Sequence, residues 1–156
     1  MQISLATNGD ITDLVKLLAL LFTQEQEFTA DTRAQTAALT HIINNPAVGH
    51  IIVARADGQA VAMVNLLYTV STATGGKVCL LEDMIVASQF RNQAIGTQLL
   101  NYAIAHAKQA GCGRITLLTD VTNIHAQRFY KQFGFTHSAM LPMRLFLDGC
   151  AQTNAE

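Results

Sequence analysis

Two adjacent acids, Glu82 and Asp83, interrupt an otherwise apolar run from Val78 to Val86, and a polar turn, Arg91-Asn92-Gln93-Ala94-Ile95-Gly96, follows shortly after. Beyond the turn, Ile95, Leu99, Tyr102 and His106 recur at helical spacing. The stretch from Leu81 to Leu100 therefore reads as strand, turn and helix, with the strand dense in aliphatic residues as if buried on both faces. A small residue at the fourth place of the turn and Gly at its sixth allow backbone to approach a ligand closely. The first turn of a helix leaves its N–H groups unpaired and the helix dipole adds positive potential, so such a corner suits a phosphate. An ordinary strand-to-helix corner satisfies the same pattern, and this stretch alone does not decide between the two.

The elements that must position this stretch can be read in chain order. Gln2 to Ala6 alternates like a short edge strand, and Asn8-Gly9-Asp10 supplies a turn with a cap. Ile11, Leu14, Val15, Leu18, Leu21 and Phe22 share one helical face, so a core helix is expected over Ile11 to Phe22. The polar interval Thr23 to Asp31 reads as a loop, and its acids Glu25, Glu27 and Asp31 read as solvated unless they attract a cationic substrate. A second helix spans Arg33 to Asn44, stopped by Asn44-Asn45-Pro46. His50 to Ala56 and Ala60 to Val70 form an antiparallel pair around Asp57-Gly58, a dipeptide suited to positive φ.

Ser71 to Lys77 is small and polar and reads as a flexible loop before the central strand Val78 to Val86. A helix from Asn92 to Ala110 stops at Gly111-Cys112-Gly113, and Arg114 to Leu118 makes a short strand parallel to the central one. Asp120 to Asn123 caps a helix over Ile124 to Gln132, Gly134 ends it, and strands are expected from Phe135 and over Met143, Leu145 and Leu147. The pattern is α/β (α+β): one domain over residues 1–156, with a loose tail from about 151, built on a central mixed sheet of about six to seven strands flanked by about four helices.

The whole chain narrows the function classes. With 156 residues, half of them hydrophobic, one domain has ample core. The net charge of −1, with Lys and Arg scattered, offers no basic face for nucleic acid. No apolar stretch reaches the about 18 residues that would span a bilayer and the N-terminus lacks a signal pattern, so a membrane partner is not expected and a cytoplasmic protein is. Cys79, Cys112 and Cys150 are odd in number and far apart, which suits reduced packing thiols. His41, His50, His106, His125 and His137 show no ligand spacing, so no metal site is expected, and His106 and His125 read as surface or packing residues. A dinucleotide motif is excluded because Gly111 and Gly113 lack a third glycine and precede a strand.

Two motifs, taken together, resemble a known family. Arg91 to Gly96 resembles the Q/R-x-x-G-x-G/A motif of the GNAT superfamily of acetyltransferases. Asn123-Ile124-His125-Ala126 with Phe129-Tyr130-Lys131-Gln132-Phe133-Gly134-Phe135 resembles its N-x-x-A-x-x-F-Y-x-x-x-G-F signature. The element order is similar as far as about Leu147. The departure is Ala94, where the family usually has glycine; if the position needs positive φ, alanine is strained.

The resemblance implies acetyl-CoA as acyl donor, direct transfer to a primary amine of a small molecule or protein, and a central sheet splayed at the cofactor-binding strand. Backbone of Arg91, Asn92, Gln93, Ala94, Ile95, Gly96 and Thr97 would hold the pyrophosphate, with Arg91 in support. Backbone of Met84, Ile85 and Val86 would bind the pantetheine amides much as a peptide adds to a sheet edge, exposed by a bulge near Asp83 to Ile85. Asn123, with Phe129 in the same motif, would contact the cofactor; Asn123 is equally a plain helix cap.

Acyl transfer to an amine needs a base, carbonyl polarisation and a proton for the leaving thiolate. Glu82 and Asp83 are the candidate bases, Glu82 preferred for its reach and its match to family members acting on small polyamines. The plainer alternative is that these acids merely pair with a basic neighbour. Tyr130 is the candidate acid, and an N–H near Ile85 the oxyanion donor. A silent acyl-CoA-binding module and a purely structural unit are the alternatives, and the apolar last strand is a candidate surface for the homodimers common in the family.

Overall fold

The computed structural model describes residues 1–24 and 30–147, so Glu25, Glu27 and Cys150 lie outside the described residues. The chain divides into two compact units, Met1–Leu117 and Leu118–Glu156.

The first unit is a five-stranded sheet with helices on its faces. In chain order it runs β1 (Gln2–Leu5), a 3-10 turn (Asn8–Asp10), α1 (Ile11–Phe22), α2 (Thr32–Asn44), β2 (Gly49–Ala56), β3 (Gln59–Ser71), β4 (Gly76–Val86), a second 3-10 turn (Ser88–Phe90), α3 (Ile95–Gln109) and β5 (Ile115–Leu117). The spatial order is β1-β2-β3-β4-β5. All neighbours are antiparallel except β4 and β5, the parallel pair that α3 connects.

Alternation along the strands sorts the core by face. Ile51, Val53, Met63 and Ile85 point to one side and pack with Leu14, Leu17 and Leu18 of α1 and Leu39 of α2. The intervening residues Ile52, Val64 and Leu66 serve the other face, where α3 buries Ile95, Leu99, Leu100, Ala103 and Ala107. Close approach of β2 to β3 requires Gly49, since a Cβ there would collide with the Leu66 carbonyl. The hairpin between them turns on Asp57 and Gly58, both at positive φ (49° and 83°), as the dipeptide predicts.

An ion pair ties the first turn to the sheet. Arg55 on β2 donates to Asp10 at 2.8 and 2.6 Å and to Ser4 Oγ at 2.6 Å, while Asp10 also accepts from the Thr7 N–H at 2.7 Å. The Arg55 guanidinium, together with the Thr7 donors, holds the Asp10 carboxyl below its usual range despite burial.

The second unit carries α4 (Ile124–Lys131), capped by Asn123 and followed by a turn that closes at Gly134, φ 90°. Here the sequence expectations need correction. Residues 135–147 form neither helix nor strand, so the sheet has five strands where about six to seven were expected. A strand exists only where a backbone ladder forms, and alternation of Leu141, Met143, Leu145 and Leu147 does not supply one: all are more than 70% exposed.

Two further boundaries move. The expected loop Ser71 to Lys77 shrinks to four residues, because Ser71 pairs with Gly76 and Val70 with Lys77. α3 begins at Ile95 instead of Asn92, because Asn92 and Ala94 are left-handed. The central strand is also not buried on both faces, as Leu80 and Glu82 are exposed. No helix among the described residues is long and apolar enough to cross a membrane.

Candidate active site

The first unit's candidate residues lie where β4 changes character. Its first half is paired on both sides: Cys79, Leu80 and Leu81 face Ile115, Thr116 and Leu117 of β5, and Tyr68, Leu67 and Leu66 of β3. The β5 ladder stops at Leu81. From Glu82 to Val86 only β3 pairs with β4 among the described strands.

A bulge falls in this open half. Asn65 pairs with Glu82 and Met63 with Ile85, so β4 uses one more residue than β3 over the same span, and Asp83 takes φ 52°. Successive strand residues ordinarily project to opposite faces, but the extra residue changes this. Glu82, directly opposite Asn65, shares its face, and Asp83 reaches the same face because Asn65 Nδ2 donates to Asp83 Oδ2 at 2.5 Å. Both acids therefore lie on the side of the sheet that Asn65 shares with Met63 and α1. Glu82 is exposed, Asp83 half-buried and Asn65 only 2% exposed.

Sequence reasoning passed over Asn65. Its signal was an amide inside the apolar run Ala-Val-Ala-Met-Val-Asn-Leu-Leu, Ala60 to Leu67, where a polar residue needs a reason.

Past the bulge the chain bends through the turn at Ser88–Phe90 into the corner. Arg91 is extended, and its Nε donates to the Val86 carbonyl at 3.0 Å, bracing the corner against the end of β4. Gln93 Nε2 adds a bond to the Gln89 carbonyl at 3.1 Å. Asn92 and Ala94 have φ of 60° and 58°. Asparagine tolerates that region; alanine is strained there by about 1–2 kcal/mol, so the position does need positive φ. The first bond of α3 joins the Gln98 N–H to the Ala94 carbonyl at 3.0 Å. The N–H groups of Ile95, Gly96 and Thr97 precede it and have no partner within the helix. They suit an anionic group, and the exposed Arg91 to Ala94 leave the approach to them open.

The other candidates belong to the second unit. Asn123 caps α4, its Oδ1 accepting from the Ala126 N–H at 3.0 Å, so the helix-cap reading holds. Tyr130 is half-buried between Phe129 and Phe135, with ring centroids 5.4 and 5.7 Å away. These edge contacts orient the phenol, and Phe133 packs on Phe129 from the next turn at 5.2 Å.

Of the cysteines, Cys79 is buried and its thiol pushed up to about 12 by that burial, which fits packing and not nucleophilic attack. His106 is half-buried against His50, ring centroids 4.7 Å apart, at the paired end of β4 and away from the bulge.

Matches to known proteins bear on this geometry. The model of the Acetyltransferase (GNAT) family matches residues 12–135. The chain belongs to the GNAT acetyltransferase family. One relative is the aminoalkylphosphonate N-acetyltransferase of Salmonella typhimurium, 29% identical over 85% of this chain and 83% of that protein. The uncharacterised N-acetyltransferase YhfO of Bacillus subtilis is 30% identical over 76% of this chain and 80% of its own. Among solved structures, a predicted acetyltransferase from Clostridium acetobutylicum, crystallised with acetyl-CoA, superposes with TM-score 0.78 at 19% identity, covering 92% of this chain and 95% of that one. That likeness shows the shared fold.

Proposed function

We propose that the protein transfers an acetyl group from acetyl-CoA to a primary amine, directly, in a ternary complex. The observation that carries this reading is the union, within the sixteen residues from Glu82 to Thr97, of the bulged open half of β4 with the left-handed corner that bares the first amides of α3. An extended thiol ester fits such a site: strand backbone for the pantetheine at Met84, Ile85 and Val86, helix amides for the pyrophosphate at Arg91 to Thr97. Asn123 and Phe129 are further candidate cofactor contacts on the strength of the family motif they match.

The chemistry follows from what the residues can do. The acceptor nitrogen attacks the thioester carbon while Glu82 or Asp83, directly or through water, takes an N–H proton. The N–H of Ile85 polarises the carbonyl oxygen. As the C–S bond breaks, the Tyr130 hydroxyl protonates the sulfur and the tyrosine regains its proton from solvent. A cationic acceptor suits two acids on one face, and the relation to an aminoalkylphosphonate N-acetyltransferase favours a small-molecule amine over a protein amino group. The protein acts in the cytoplasm, and the exposed alternation of Leu141, Met143 and Leu145 is the candidate surface of a homodimer, which a monomeric mass by light scattering would remove.

The test is to mix the protein with acetyl-CoA and a panel of aminoalkylphosphonates, polyamines and N-terminal peptides and to measure free CoA. Turnover with at least one amine is expected. Tyr130→Phe should lower kcat by roughly 10²–10⁴-fold with acetyl-CoA affinity retained. CoA binding without turnover on any amine would point instead to a silent acyl-CoA-binding module, and full activity of Tyr130→Phe would remove it as the acid.

A further inference from the structure

We propose that Asn65 is a positioning residue that fixes the Asp83 carboxylate in the bulge and so makes Asp83, in preference to Glu82, the base of the transfer. This rests on the acetyltransferase reading of the same site.

Three observations combine. Asn65 is 2% exposed, on a strand whose neighbours Met63, Val64 and Leu66 are fully buried hydrophobics. Its Nδ2 donates to Asp83 Oδ2 at 2.5 Å, across the strand pair at the point where the register shifts. Its Oδ1 is buried and finds no hydrogen-bond partner among the described residues. The amide cannot be turned to relieve this, because an ionised carboxylate only accepts, so Nδ2 must face Asp83 and Oδ1 must face away.

A buried acceptor left unmet destabilises the fold, and an aliphatic residue here would avoid it. The asparagine is therefore explained by its donor and by what that donor holds. Asp83 sits at φ 52°, where the bulge gives its side chain a direction no regular strand position has. A donor from the neighbouring strand selects one rotamer of that carboxylate. Glu82 opposite is exposed, with a longer chain free to sample several directions. A base must be held within reach of the amine, and of the two acids Asp83 is the one whose direction the scaffold sets.

The decisive pair of variants is Asn65→Val and Asn65→Thr, nearly equal in shape, of which only threonine keeps a donor. With the amine that the wild type acetylates fastest, Asn65→Val should lower kcat by roughly ten- to a hundredfold while the KM for acetyl-CoA holds, and Asn65→Thr should recover much of the loss. The Asp83 carboxyl carbon resonance, read in protein without any ligand, should move in Asn65→Val and return toward the wild-type position in Asn65→Thr. Equal kcat in the two variants would overturn the proposal, as would an Asp83 resonance indifferent to the substitution. If the wild type acetylates no amine, the acetyltransferase reading fails by itself, and the resonance still decides whether Asn65 governs Asp83. Should Asn65→Val not fold, Asn65→Leu replaces it with the same two readouts.

Discussion

The two halves of β4 share one strand and differ in almost everything else. From Lys77 to Leu81 the strand is hydrogen-bonded on both edges, and Val78, Cys79 and Leu81 are buried. From Glu82 to Val86 it keeps one strand partner among the described residues, bulges at a residue with positive φ and carries two acids on one face. The closed half supplies stability, because it removes apolar surface from water and completes its backbone bonds. The open half gives up part of both and leaves one backbone edge without a strand partner among the described residues. The change occurs at a single residue boundary, set by where β5 ends. A fold can thus separate its stability from its chemistry along one strand without inserting a loop.

The largest effect should come from breaking the closed half. Leu81 is 3% exposed at the last position that β5 covers. Leu81→Ala should destabilise by about 2–5 kcal/mol, through lost burial and the cavity left behind. Turnover per folded molecule should hold at a temperature where the variant remains native. Urea midpoints beside active-site-normalised rates check this. A variant with normal stability and lost activity would show that the two halves are not separable.

A smaller effect, of opposite sign, is expected beyond the open half. Ala94 occupies the left-handed region at φ 58° and ψ 12° immediately before α3. Ala94→Gly should relieve strain and stabilise by about 1 kcal/mol, less the greater freedom glycine gives the unfolded chain. Ala94→Val should destabilise by more than that gain, since branching worsens the same clash. Thermal melting of the two variants decides the matter. Destabilisation by Ala94→Gly would mean the corner is not left-handed in solution. Activity in the wild type despite the strain would show that the corner needs this backbone shape more than it needs glycine.

Legibility followed the range of the signal. α1 matches its expected span, Ile11 to Phe22, because a helical stripe is a local pattern, and the Asp57-Gly58 hairpin follows from φ preferences of two residues. The bulge at Asp83 was available only through the family resemblance, since it depends on how β4 pairs with β3, and the end of pairing at Leu81 depends on how far β5 extends; nothing local in β4 encodes either. The strands expected after Phe135 failed for the same reason: alternation states a willingness to pair, and the partner lies elsewhere in the chain. Asn65 was visible as a letter in an apolar run, but its meaning required the register that sets it against Glu82 and Asp83.

The smallest effect tests the closed half from its other face, through acid. His50 on β2 bonds through Nδ1 to the Tyr68 hydroxyl at 2.8 Å, and Tyr68 pairs with Cys79 in the closed half of β4. Burial lowers the pKa of His50, with His106 and then Lys77 adding to the effect, and burial lowers that of His106. Both rings are thus held neutral in the folded state, while the unfolded chain takes up their protons near pH 6.5. The unfolded state then binds more protons as pH falls below that value, so this contribution is full above it and declines toward the lower folded values. Asp10 acts in the same direction in a lower window: its carboxyl is depressed by Arg55, so its contribution holds above the unfolded carboxylate value of 3.8 and is lost as pH falls through the folded one. Urea midpoints should therefore decline in two stages on acidification, the first modest because both rings stay partly solvated. Replacing both histidines with glutamine should flatten the first stage and leave the second. If the slope near pH 6 survives that double substitution, the histidines are not its source and the closed half owes its acid sensitivity to other groups.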